Sequence, residues 1–152
     1  MDHNTILEVG PSEGAVVGFV SNGVSGTIRP WQFTNNIVNH SLFGIGDFDR
    51  GNSEGKPTLK SYVPTAVLGQ NVFVNGTALS SIYPSGFLWA TPDSTAVGFI
   101  DNTNCVGGTF TVSACALKSS SRFHTAGTDG KDIGAGIDSI NSATAGVIQV
   151  HD

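Results

Sequence analysis

The chain has 152 residues, enough for one domain with a core of its own, and only 12% of them are charged, about half the usual share. The formal net charge is −5 with seven scattered Lys and Arg, which disfavours binding to nucleic-acid backbones or anionic membranes. No apolar run reaches the ~18 residues of a membrane span, and no basic-then-apolar leader reads from the first residues.

Twenty Gly, nine Phe and abundant Ser, Thr and Asn give the profile of a turn-rich β protein with a neutral polar surface. Residues 2–9 read as a first strand carrying Ile6 and Leu7. Residues 10–14 match the G-x-S-x-G nucleophile elbow around Ser12, but the run at 15–20 is β-type where an elbow needs a helix, so the segment reads as a turn. A loop follows at 21–26. Residues 27–38 read as two short strands around a corner, interrupted by Pro30, and 41–46 as a further apolar piece.

Residues 58–63, 66–68 and 71–74 are strand candidates, with a tight turn at Asn75-Gly76, another at 83–86, and an apolar stretch at 87–89. Residues 97–101 and 109–116 are the last strand candidates, the second with a period of two on Phe110 and Val112. Ile137, Ile140 and Thr144 then fall at helical spacing, with Asp138 as N-cap and Gly146 as stop. Nine residues lie between Cys105 and Cys115; a disulfide and a pair of free thiols both fit that spacing, and no second Cys or His pair suggests zinc.

One unit recurs along this chain. DHNTIL (2–7), FTNNIVNHSL (33–42) and GQNVFVNG (69–76) each place an Asn just before an aliphatic strand, and Asn4, Asn36 and Asn71 are spaced by 32 and 35 residues. An Asn amide both donates and accepts, so corners stacked at the ~4.8 Å strand spacing can bond one to the next. A period of this length is the mark of a solenoid.

Three groups of residues have the chemistry of a site. Asp47 and Asp49, beside Arg50, project to one face of an extended chain and have the oxygens a Ca²⁺ or an acidic sugar would need; a solvated loop is the plainer reading. Trp31, Tyr83 and Trp89 have rings on which a sugar could stack, or that could simply fill the core. Asp129, Asp132 and Asp138 could ligate Ca²⁺, while Asp129 and Asp132 could instead bond backbone N–H groups and hold the turns of the tail.

From Phe110 through Ser119-Ser120-Ser121 to AGTDGKDIGAGIDSINSATAGV (126–147), the chain resembles the C-terminal end of bacterial right-handed parallel β-helix proteins of the pectin lyase-like superfamily. The three Asn units resemble that family's coil strands, and YPSGF (83–87) its Tyr-Pro loop, so the likeness covers essentially the whole chain. The family's Asp near Gly136 and Ser-Pro near Ser120-Ser121 are absent. The resemblance implies an all-β, right-handed parallel β-helix of about three coils (1–117), closed by a capping tail with one short helix (118–152).

It further implies a terminal, non-catalytic module of a secreted or cell-surface, polysaccharide-associated protein. Two alternatives stand beside that reading. One is a lyase or glycoside hydrolase on acidic glycans, with Arg50 as base and Asp47 and Asp49 on Ca²⁺. The other is a structural or adhesive element without sugar contact. An exposed N-terminal coil would self-associate or join upstream coils missing from this sequence.

Overall fold

A computed structural model of the chain describes residues 1–7, 14–21, 27–51, 54–76 and 79–146. The turn around Ser12, the end of the first expected strand, the loop at 22–26, Asn52 and Ser53, and residues 147–152 lie outside the described residues.

Short strands follow the apolar pieces of the sequence. A four-stranded parallel sheet has the order β1 (Thr5–Ile6), β4 (Ile37–Asn39), β7 (Asn71–Val74), β8 (Leu88–Thr91). Its register sets Thr5 beside Ile37, Ile37 beside Val72, and Val72 beside Trp89. Two further parallel pairs are β2 (Val17–Phe19) with β5 (Ile45–Asp47), and β3 (Gln32–Thr34) with β6 (Val67–Gly69). Helices are α1 (Lys56–Tyr62), α2 (Asn102–Val106) and α3 (Ile137–Thr144), with 3₁₀ turns at Leu79–Ser81, Ser94–Val97 and Val112–Cys115.

The two inner strands, β4 and β7, are buried on both faces, which is why they read as near-continuous apolar runs. Alternation along each strand sends Val38 and Phe73 into one core with Phe33, Leu59, Tyr62, Tyr83 and Phe87. Ile37, Val72 and Val74 enter the other, with Val97, Phe99, Phe123, Ile133 and Ile137. That second core spans residue 117, so residues on both sides of the expected boundary pack together.

The expected all-β parallel β-helix is therefore not the fold. Helix and strand each make up 23%, the sheets are small and separate, and the described residues show no winding into stacked coils. The Asn contacts are present, but they tie the corners of one sheet: Asn4 Nδ2 donates to Asn36 Oδ1 at 2.9 Å, and Asn36 Nδ2 to Asn71 Oδ1 at 2.9 Å.

Two expected strands are something else. Residues 58–62 belong to α1 and Val63 is its C-cap; Pro57 sits in the first turn, and Leu59, Tyr62 and Val63 fall at i, i+3 and i+4 on a buried side. In 109–116 the alternation leaves Phe110 64% exposed, and the chain turns into a 3₁₀ segment that seats Cys115 against Cys105 in a disulfide. The 97–101 stretch supplies only a single antiparallel bridge, Phe99 with Leu117. The tail helix forms where helical spacing places it, but Gly136 is its N-cap and Asp138 lies in its first turn.

Candidate functional site

The Trp89 face is built from three segments. β8 follows the turn at 83–86 and lies at the edge of the four-stranded sheet, with Trp89 paired to Val72. Gln70 takes a left-handed φ of 48° just before β7, and its Oε1 accepts from Trp89 Nε1 at 2.8 Å. Phe123 is fully buried and meets the indole edge-on at 6.4 Å, and its anchoring holds Arg122 over the indole at 4.4 Å.

The segment carrying Arg122 is fixed by Ser121. Its hydroxyl donates to Val97 O at 2.6 Å and accepts from Phe123 N at 3.2 Å. Gly98, at φ 83°, lets this happen, because a Cβ there would come within 3.0 Å of Ser121 Cβ. Trp89 remains 41% exposed, and no acidic side chain forms an ion pair with Arg122 among the described residues. An indole ring with a cation on its face and an amide at its edge can take the C–H face of a sugar and an anionic group together.

The other two sequence-predicted rings are placed differently. Tyr83 is fully buried, its hydroxyl accepting from Ile45 N at 2.8 Å and donating to Glu54 Oε1 at 2.9 Å. Burial pushes that hydroxyl well above the ordinary phenol range. Glu54 in turn faces His40 Nε2 at 2.7 Å, an ion pair when the imidazole is protonated. Trp31 stacks on Phe33 at 5.6 Å and meets Phe19 edge-on at 5.5 Å, so it serves the core.

Asp47, Asp49 and Arg50 are brought together, with Tyr62 at their centre. Asp47 is 3% exposed, and its Oδ1 accepts from Asp49 N at 3.0 Å, Arg50 N at 2.8 Å and Tyr62 Oη at 3.0 Å. The Tyr62 hydroxyl also bonds Asp49 Oδ1, while Asp49 Oδ2 accepts from Ser21 N at 2.6 Å and Ser21 Oγ at 2.5 Å. Arg50 lies 4.5 Å over the Tyr62 ring and donates to Ser61 Oγ at 2.9 Å. Burial first, then the Asp49 and Asp47 contacts, push the Tyr62 hydroxyl up to about 12, so it donates throughout the neutral range. The donors and acceptors of this cluster are turned on one another, the arrangement of a corner lock.

Asp129, Asp132 and Asp138 do not converge, and among the described residues no three His, Cys, Asp or Glu side chains form a metal-sized group. Asp129 accepts from Lys131 N at 3.1 Å, the main reason its carboxyl lies below the ordinary range. Asp132 Oδ1 accepts from Thr125 N at 2.9 Å and faces His124 Nδ1 at 2.7 Å. Asp132 and Asp138 line a shared cleft of about 480 Å³ in which Asp129 takes no part.

Sequence reasoning missed Gln70 and Arg122, whose role comes from cross-strand register and from a turn some thirty residues downstream of Trp89. The only local signal was the aromatic at Phe123 beside a cation. No protein-family model, curated protein or solved structure matches this chain.

Proposed function

We propose that the chain is a non-catalytic, glycan-associated element of the cell surface or secreted space, with the Trp89 face as its contact for an acidic sugar. The observation that carries this reading is the exposed indole under Arg122 with Gln70 at its Nε1. The indole favours the C–H face of a pyranose, the guanidinium favours a uronate carboxylate, and the amide favours ring hydroxyls. The resemblance of the tail to polysaccharide-associated proteins supports the same reading. So does the Cys105–Cys115 disulfide, a bond that persists in oxidising compartments.

The test is a titration with an acidic oligosaccharide such as a galacturonate trimer, read by calorimetry and by indole fluorescence. Saturable binding that falls about tenfold or more in Trp89→Ala and survives in Trp31→Ala is expected. Arg122→Gln loses the preference for acidic over neutral oligosaccharides. Equal binding by all three variants, or none by the unaltered protein, defeats the reading, as does release of an unsaturated uronate product.

A further inference from the structure

The Asn ladder has a direction, and it ends unfinished at β1. Asn4 donates to Asn36 Oδ1 through its backbone N at 3.0 Å and its Nδ2 at 2.9 Å. Asn36 repeats the pattern onto Asn71 Oδ1 at 3.1 and 2.9 Å. At the far end the ladder is closed, since Asn71 Nδ2 donates to the carbonyls of Phe33, Gly69 and Phe87. At the near end Asn4 Oδ1 accepts nothing among the described residues, and it is not sealed from solvent. Along the ladder each Nδ2 reaches the Oδ1 of the next Asn in the direction of β8, beside bonds from Asn4 Nδ2 back to Asp2 O and from Asn36 Nδ2 back to Met1 O, and a bare acceptor is left at β1.

The backbone of β1 matches this. Asn4 O accepts from Ile37 N, so Asn4 and Ile6 face β4, and alternation turns the N–H and C=O of Thr5 to the other edge, which no strand among the described residues pairs. Beside that edge runs an apolar groove of about 430 Å³ whose walls include Leu7, Phe110, Val112, Ile137 and Ile140, with the Cys105–Cys115 disulfide between them. Among the described residues no charged side chain lines it, and Phe110 and Ile140 are 64% and 36% exposed.

We propose that the β1 edge docks an extended segment of another protein, running parallel to β1 and carrying an Asn followed by aliphatic residues at the first and third positions after it. The complementarity is one of partial charge and of shape. The incoming Asn supplies two donors to Asn4 Oδ1, its carbonyl accepts from Thr5 N, and the two aliphatics enter the groove beside Leu7. Strand addition of this kind draws affinity from main-chain bonds and specificity from alternate side chains. This site is separate from the Trp89 face, which lies on β8 at the opposite edge of the sheet.

The probe is a synthetic peptide of residues 69–76, GQNVFVNG, whose Asn71, Val72 and Val74 fit the required pattern. Added to the isotope-labelled whole chain, it should give saturable amide shifts at Asn4, Thr5, Leu7 and Ile140. Two control peptides carry Asn71→Leu or an N-methyl group on Phe73, the latter blocking the bond to the Thr5 carbonyl. Each should bind about tenfold more weakly. No shifts at millimolar peptide, shifts centred on β8, or equal binding of the controls overturns the proposal. Concentration-dependent broadening of residues 4–7 without peptide would assign the edge to a second copy and overturn a foreign strand as its occupant.

Discussion

At the corners leading into β4 and β7 the chain is held by buried amides: Asn36 and Asn71 are fully buried, and each bonds the next corner through repeated strand register. In residues 92–146 the corresponding work falls to carboxylates near the surface and one disulfide. Asp93 caps the 3₁₀ turn Ser94–Val97, Asp101 caps α2, and Asp129 and Asp132 hold the tail's turns. A buried amide must be satisfied by protein, so losing one partner strands several groups at once. A surface carboxylate has water as an alternative, so its loss is local and graded.

The sharpest way to break that contrast is Asn71→Leu. The substitution removes the acceptor used by Asn36 N and Nδ2 and strips a donor from the carbonyls of Phe33, Gly69 and Phe87. A loss of about 4 kcal/mol is expected, at the extreme end for a single change. Urea denaturation measures it, and a loss below about 1 kcal/mol would show that the sheet holds its corner without the amide.

Next in size is the double variant Cys105→Ser, Cys115→Ser. The disulfide closes a short loop, with a sequence separation of ten. The chain-entropy account gives a loss of about 2.5–3 kcal/mol. Hydrogen exchange sharpens the comparison: faster exchange should be confined to residues 99–117, with the amides of β4 and β7 still protected. Equal acceleration in both regions would mean that the two cores open as one unit.

How much of this was legible depends on where the determining contacts lie. The amide contacts of Asn4, Asn36 and Asn71 were readable because the repeated unit places its own hydrogen-bond partner. The winding inferred from that repeat was not there, because local preferences elsewhere took over. Pro57 with Leu59 and Tyr62 makes a helical face that a β reading of 58–63 overlooked. The alternation of 109–116 was real as a pattern but had no partner strand, and the disulfide bent the segment into a 3₁₀ turn. At the sites, Asp47, Asp49 and Arg50 were readable as neighbours. Their lock on Tyr62 was not, since Tyr62 reaches them only across α1. The Trp89 face needed Ser121, Gly98 and the register of β7 with β8, none of which leaves a local trace.

The smallest expected effect is also the most selective. Asp101 is held below the ordinary carboxylate range by Asn104 N at 3.2 Å and then by the Asn104 amide; the Thr95 hydroxyl does the same for Asp93, and Lys131 N for Asp129. A carboxylate depressed in the folded state contributes stability that is fully present above its unfolded value of about 3.9, and lost as pH falls through the lower folded value. Melting temperature should therefore decline below about pH 4, and Asp101→Asn with Asp129→Asn should flatten that decline, since Asn caps without titrating. The amide ladder has no proton to gain, although Asp2 beside it, lowered first by the Thr34 hydroxyl, adds a small share to the same slope. Exchange of residues 99–135 should accordingly accelerate before that of residues 37–39 and 71–74 as acid is added. The reverse order would mean that the surface carboxylates are not what distinguishes the two regions.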